Sequence, residues 1–269
     1  MRPIITLLTD FGTQDGYVGA MKGVILGDAP EAAIVDLTHD IPPQDVLAGA
    51  FALAQAAPYF PVGTVHVAVV DPGVGTERRA LVAEHAGHVY IGPDNGLFTF
   101  VLGEGPGGTA GAASRVRVID RLPSEWSLHP TFHGRDLFAR VAARLAAGDA
   151  PTRFAGAEVE PRRLELPRPS ETPEGLDGVV IHCDRFGNLV TNLATRLIPE
   201  RLGAGLRCGG VEVAGALATL GTTYGDVAPG ELVAYGGSAG YLEIGVRDGS
   251  AAARLGARRG TPVRVRRPR

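Results

Sequence analysis

Apolar positions along the first half of the chain alternate between short β-branched runs and longer stretches at helical spacing. Ile4 to Leu8 is a compact apolar run that closes on Thr9-Asp10-Phe11-Gly12, so it predicts a strand ending at an acid. Tyr17 to Leu26 places Val18, Met21, Val24 and Ile25 on one helical face, and Asp28-Ala29-Pro30 stops it. Ala33 to Leu37 predicts the next strand, with Asp36 near its end and Thr38-His39-Asp40 beyond. Pro42-Pro43 leads into an alanine-rich helix from about Gln44 to Ala57, halted by Pro58, and Thr64 to Val70 predicts a third strand. Strand, helix, strand, helix, strand with short connections implies a mostly parallel sheet flanked by helices. Three acids, Asp10, Asp36 and Asp71, are then expected along one edge of that sheet.

The third strand carries the most informative ending. Val67-Ala68-Val69-Val70 stops at Asp71, and Pro72-Gly73-Val74-Gly75-Thr76-Glu77-Arg78-Arg79 follows. A carboxylate at the C-terminal edge of a buried strand stands where open α/β sheets bind ligands. Beyond it, Arg79 to Glu84 and Val89 to Ile91 predict a hairpin turning at Ala86-Gly87, with His85 and His88 expected to be exposed. Gly92-Pro93-Asp94-Asn95-Gly96 reads as a turn before the apolar run Leu97 to Leu102, and 103–114 reads as a loop. Thr131-Phe132-His133-Gly134-Arg135-Asp136 precedes a helix of roughly Leu137 to Ala147. His133 is thereby set at a helix start, where the dipole favours a neutral ring. Arg135 and Asp136 make a local ion network plausible.

The rhythm changes after residue 160. Glu160 to Asp177 carries four prolines and many charges without periodicity, and reads as a linker. Gly178 to Cys183, Val211 to Leu220, Glu231 to Tyr235, Tyr241 to Val246 and Pro262 to Val265 are short β-type runs separated by glycines. The expected architecture is an α/β N-terminal domain over 1–160, a Pro-rich linker over 161–177, and a smaller mostly-β C-terminal domain, barrel or sandwich, over 178–269.

Composition narrows the function classes. A 45% hydrophobic, 20% charged chain of 269 residues is globular, and a formal net charge of −3 gives no argument for nucleic acid. The basic tail Arg264 to Arg269 reads as a solvated terminus. Cys183 and Cys208 have no close spacing and read as thiols in a reducing compartment. With no leader and no apolar run of membrane-spanning length, a cytoplasmic protein is expected. Scattered histidines and no paired Cys-x-x-Cys predict no metal site. Gly103, Gly105 and Gly108 spell a dinucleotide fingerprint without the helix it needs. Gly236-Gly237-Ser238-Ala239-Gly240 spells a nucleophile elbow, but a strand follows, so Ser238 is discounted as a nucleophile. In Asp184-Arg185-Phe186-Gly187-Asn188, Asn188 suits a purine or amide edge and Phe186 suits a flat ring; a plain β-turn explains the same letters.

Taken in order, Thr9-Asp10-Phe11-Gly12, Asp71-Pro72-Gly73-Val74-Gly75-Thr76, Gly92-Pro93-Asp94-Asn95-Gly96, Thr131-Phe132-His133-Gly134-Arg135-Asp136, Asp184-Arg185-Phe186-Gly187-Asn188 and Tyr241-Leu242-Glu243-Ile244 make the chain resemble the S-adenosyl-L-methionine (SAM) hydroxide adenosyltransferases. These are hydrolases related to the fluorinating and chlorinating enzymes. The resemblance implies attack of water on the ribose C5′ of SAM, giving adenosine and L-methionine, with no metal or organic cofactor. It implies a water-activating set at Asp71, Arg78 and His133. Asp10 falls on the ribose site, Asp184 and Ser238 on the methionine end, Phe186 and Asn188 on the adenine site, with Ala251 as a backbone contact and Phe132 beside the substrate. A homotrimer, or a dimer of trimers, is implied, each site lying between subunits; SAM or adenosine is the expected ligand, with neither nucleic acid nor membrane as partner. Asp71 and His133 depart from the small or aromatic residues of the halogenating branch. Arg140 stands where a proline is expected.

A sulfonium leaves readily, so the demand falls on holding and deprotonating water. Positioning is worth at most ~7–11 kcal/mol of barrier. On the sequence, Asp71 and Arg78 are expected to position the water and a neutral His133 to take its proton.

Overall fold

A computed structural model describes residues 2–103, 113–198 and 210–266, and the chain divides into two compact units, 1–164 and 165–269. The first unit runs β1 (Ile4–Thr9), α1 (Tyr17–Asp28), β2 (Ala33–Thr38), α2 (Val46–Ala56), β3 (Val65–Val69), β4 (Ala80–His85), β5 (His88–Pro93), β6 (Arg115–Ile119), α3 (Arg140–Ala146) and β7 (Ala155–Glu158). Its seven strands order as β2-β1-β3-β5-β4-β6-β7. Strands β2, β1, β3 and β5 are mutually parallel, whereas β4, β6 and β7 pair antiparallel, so the sheet is mixed. The apolar run of β3 is buried along its length, as a strand covered on both faces must be. Helix α1 packs Val18, Met21 and Ile25 inward at helical spacing, and the Asp45 side chain caps α2 by accepting from the Ala48 N–H at 3.0 Å. Gly49 lets α2 approach the sheet closely, since a Cβ there would meet Val70 at 2.9 Å and Leu97 at 3.0 Å.

Three expectations for this unit change in the folded chain. Asp36 lies inside β2 opposite Leu7, short of the sheet edge, and is taken up by Lys22 at 2.6 Å and His39 at 3.1 Å. His85 and His88 are buried, 3% and 7% exposed. The hairpin turn packs back on the chain before β3, where the Gly63 N–H donates to the Gly87 carbonyl at 2.8 Å. His88 Nδ1 pairs with His66 Nε2 at 3.1 Å, and His66 Nδ1 with Thr6 Oγ1 at 2.7 Å. The third change is at the last helix, which begins three residues earlier than its apolar spacing indicated, as a π-helical segment Gly134–Ala139 running into α3. Part of the loop read over 103–114 lies outside the described residues.

The second unit contains β8 (Ser170–Thr172), β9 (Gly175–Cys183), β10 (Leu189–Ala194), β11 (Val211–Val213), β12 (Ala216–Leu220), β13 (Leu232–Gly236), β14 (Tyr241–Val246), α4 (Ala251–Leu255) and β15 (Pro262–Arg266). The order β10-β14-β13-β12-β11-β15-β9 closes on itself through the β9–β10 pairing, making a seven-stranded barrel with β8 appended to β9. Closure leaves the barrel strands without a free edge, and Val180, Leu189, Leu193, Val213, Leu242 and Ile244 fill the inside. The end of the Pro-rich stretch is therefore structured, with β8 and the start of β9 forming a hairpin. The basic tail also begins inside the barrel: Arg264 pairs with Asp177 at 2.6 Å and Arg266 with Glu212. Cys183 is a free, half-buried thiol whose pKa burial pushes up, and Cys208 lies outside the described residues.

Candidate active site

The loop between β3 and β4 brings together the three residues proposed from the sequence. Residues 71–78 fold as consecutive turns, with Val74 N–H donating to the Asp71 carbonyl and Thr76 N–H to that of Gly73, both at 3.2 Å. Gly75 has φ +78°, a conformation that favours glycine, and a Cβ there would sit 3.0 Å from the Pro130 carbonyl oxygen. The turns return Arg78 onto Asp71. Arg78 Nε donates to both carboxylate oxygens at 3.0 and 2.9 Å, and Nη2 donates to Oδ2 at 2.6 Å. The two side chains are buried, 4% exposed for Asp71 and 7% for Arg78, and the guanidinium lies 5.3 Å from the centre of the Phe138 ring.

His133 completes the set at the N-cap of the π-helical segment, with its Nδ1 2.8 Å from Arg78 Nη2. Burial, followed by the Arg78 charge, lowers the His133 pKa, so the ring is neutral near pH 7. A guanidinium can only donate, so Nδ1 must be the acceptor and the ring hydrogen of neutral His133 sits on Nε2. In this arrangement the imidazole has no free lone pair. Arg78 thus occupies the nitrogen that would receive a proton in the role expected of His133, and Nε2–H is the ring group left to donate.

Neighbouring groups hold this corner. Asp136 receives Arg135 Nε at 2.7 Å and Nη2 at 2.9 Å, and also the His129 N–H at 2.9 Å, which ties the 129–133 stretch to the helix start. Gly134 lets that start rest on Phe11 and Met21, which a Cβ would meet at 3.3 and 3.4 Å. Phe132 packs edge-on against Phe11 and Tyr17, and these rings, with His129, Thr131 and Arg135, line a cavity of about 430 Å³. Arg140 lies over the Trp126 ring at 5.6 Å. Asp10 stands one residue past β1, and its Oδ2 accepts from the Gln44 N–H at 2.8 Å. Among the described residues, no three His, Cys, Asp or Glu side chains converge to hold a metal ion.

The remaining predicted residues lie in the second unit, on the β9–β10 turn, the β13–β14 turn and the start of α4. Asp184 organises the β9–β10 turn: Oδ1 accepts from Phe186 N–H at 2.9 Å and Asn188 N–H at 2.8 Å, and Oδ2 from Asn188 Nδ2 at 2.8 Å. The turn places Phe186 out in solvent, 77% exposed, while Asn188 is buried. Ala251, also buried, opens α4 against this turn, where the Ala252 N–H donates to the Gly187 carbonyl at 2.9 Å. Ser238 is exposed in the turn between β13 and β14, and no helix follows it. Two groups unforeseen from the sequence sit nearby. Tyr235 bonds Tyr224 at 2.5 Å through their hydroxyls, and Glu243 has its pKa raised by burial, an effect the charge of Asp184 reinforces. Both lie on strands, alternating with the inward-facing Ala234, Leu242 and Ile244, so period two sets them on the outer face of the barrel.

A buried carboxylate–guanidinium–imidazole set at a sheet edge, in a chain that continues into a closed barrel with an exposed ring and turn amides, outlines a two-domain enzyme for a small polar reactant. Residues 5–155 match the SAM hydroxide adenosyltransferase N-terminal domain, and residues 178–264 the corresponding C-terminal domain. The chain belongs to the SAM hydroxide adenosyltransferase family. It is 45% identical over 267 residues to an (R)-S-adenosyl-L-methionine hydrolase of Thermus thermophilus, covering 98% of this chain and 100% of that protein. A fluorinase of an Actinoplanes species is 34% identical over 71% of this chain and 72% of its own length. The solved structure of an uncharacterized conserved protein from Thermotoga maritima superimposes with a TM-score of 0.86 at 35% identity, over 96% of this chain and 98% of that one.

Proposed function

We propose that this protein hydrolyses SAM by in-line attack of water on the ribose C5′, releasing adenosine and L-methionine, and that it takes the (R)-sulfonium form named for its relative. The observation that carries the reading is the contact set Asp71–Arg78–His133, in which a buried carboxylate is held on two sides by one guanidinium that also fixes the imidazole. As the water oxygen bonds to C5′, the C5′–S bond breaks and its electron pair stays on sulfur as the neutral thioether. The oxygen now on C5′ carries both water protons, and one must leave to give the neutral 5′-hydroxyl. A carboxylate has about four lone-pair sites and Arg78 leaves some of them open, so Asp71 accepts that proton while His133 Nε2–H orients the water. Asp10 binds the ribose hydroxyls, and Phe132 flanks the substrate. Phe186, Asn188 and the Ala251 backbone bind adenine, and Asp184 and Ser238 bind the methionine end. A cytoplasmic homotrimer completes the reading, tested by light scattering against the chain mass of 28.0 kDa.

Incubation with SAM in ¹⁸O-water tests the reaction. Adenosine labelled at its 5′ oxygen beside unlabelled methionine is the expected result, and SAM returned intact would leave a binding protein on this fold. Added chloride should yield no 5′-chloro-5′-deoxyadenosine, because the Asp71 carboxylate repels an anion at that position. The roles within the set separate with two variants. His133→Gln keeps an acceptor for Arg78 and a donor for water, so it should retain turnover within ~10-fold of wild type, whereas His133→Ala should lose ~10²-fold or more. Equal loss in both variants, with the acid limb of the pH profile abolished, would return the base role to His133.

A further inference from the structure

The Gly92 to Gly96 turn forms no hydrogen bond to Asp71, Arg78 or His133, yet it bonds both roots of the loop that carries Asp71 and Arg78. At the incoming root, Asn95 Nδ2 donates to the Val70 carbonyl at 2.8 Å, one residue before Asp71. Its own Oδ1 accepts from the Leu97 N–H at 3.2 Å, so the side chain cannot rotate away without losing both bonds. At the outgoing root, Asp94 Oδ2 accepts from Arg79 Nε at 2.7 Å, one residue after Arg78, and the Asp94 N–H donates to the Arg79 carbonyl at 2.9 Å. Asp94 is 1% exposed, and its second oxygen accepts the Arg162 N–H at 2.7 Å. Val70 is fully buried, so the Val70 carbonyl lacks a water substitute for Asn95.

A loop closed only by the contact between Asp71 and Arg78 could rotate as a unit about its roots. With both roots fixed to two consecutive residues of one turn, the separation and orientation of Asp71 and Arg78 are set from behind. We propose that Asp94 and Asn95 are positioning residues of the hydrolytic site, clamping Val70 and Arg79 so that Asp71 and Arg78 meet each other and His133 in register. The inference rests on the catalytic reading given to Asp71, Arg78 and His133.

Asn95→Asp is the sharpest variant. It preserves size and the acceptor for Leu97 but replaces the donor to Val70 with a carboxylate oxygen. Asp94→Asn keeps an acceptor for Arg162 while removing the charge that holds Arg79. Each is expected to lower kcat by ~10- to 100-fold with KM for SAM within about threefold of wild type, since misplacement of reacting groups by about an ångström costs that much while binding is spared. The readout independent of activity is the Arg78 Nε–H resonance in ¹⁵N NMR, assigned by its loss in Arg78→Lys. It should stand apart in wild type, as a proton shared with a carboxylate does, and shift or broaden in both variants. Wild-type kcat with an unmoved resonance in both variants would overturn the proposal, and so would a loss divided equally between kcat and KM. If the wild type fails to cleave SAM, the reaction proposed above falls, while the resonance still decides whether the turn sets the loop.

Discussion

The two units present their candidate residues in opposite conditions. In the first, Arg78 bonds both Asp71 and His133, and the carboxylate and guanidinium are almost wholly out of water. In the second, the Asp184 carboxylate organises its own turn, and the residue that turn projects, Phe186, is an aromatic ring in solvent. Chemistry needs groups whose geometry costs nothing to assemble at the moment of reaction, and preorganised polar contacts in a dry setting supply that. Recognition of a flat ring needs exposed apolar area that gains on being covered. On the proposed reading the first unit supplies the reacting groups and the second the surface that holds the flat ring, so substitutions in the two should fail differently.

The largest effect should come from Asp71→Asn, which keeps the shape but removes the proton acceptor and half of a buried ion pair. Turnover should fall by ~10²–10⁴-fold with little change in KM, measured by adenosine release. Arg78→Lys should follow with a loss of ~10- to 100-fold, since an ammonium cannot span both carboxylate oxygens and His133 Nδ1 together. A Lys variant that matched wild type would show that the bidentate contact is not used. Phe186→Ala should act on the other side of the contrast, raising KM by roughly 3- to 10-fold at constant kcat, the worth of one stacking contact. A fall in kcat there would erase the division between reacting and binding units.

The smallest expected effects concern pH. His133 is held below the ordinary imidazole value of 6.5 by burial and by Arg78, so its neutral form persists into mild acid. Turnover should stay level through pH 6.5 and decline only below it. Stability has its own acid limb. Burial pushes His66 down to about 3, so its contribution is complete above 6.5 and is lost as pH falls from there toward 3, where the ring must charge against Thr6 and His88. Denaturant melts of His66→Gln should show a shallower acid loss than wild type between those values.

Much of the scaffold was legible along the chain because the signals were local. Strands β1, β3 and β14 are apolar runs of ordinary strand length, α1 shows its buried stripe at helical spacing, and the Ala86-Gly87 turn announces the β4–β5 hairpin. Asp71 could be singled out because its apolar run stops at the acid and a glycine-rich loop with two arginines follows. Burial of His85 and His88, and the placement of Asp36 inside β2, required knowing which distant segment packs against them, and sequence period carries no such information. The π-helical opening of α3 has no sequence pattern of its own, and the seating of Gly134 against Phe11 and Met21 at its start is a long-range contact. The tautomer of His133 was likewise out of reach, since it depends on a guanidinium 55 positions away arriving at Nδ1 rather than Nε2. Residue types, local periods and turn chemistry were thus determined by the sequence alone. Which lone pairs remained free for chemistry was decided only when long-range packing chose the partner of each polar atom.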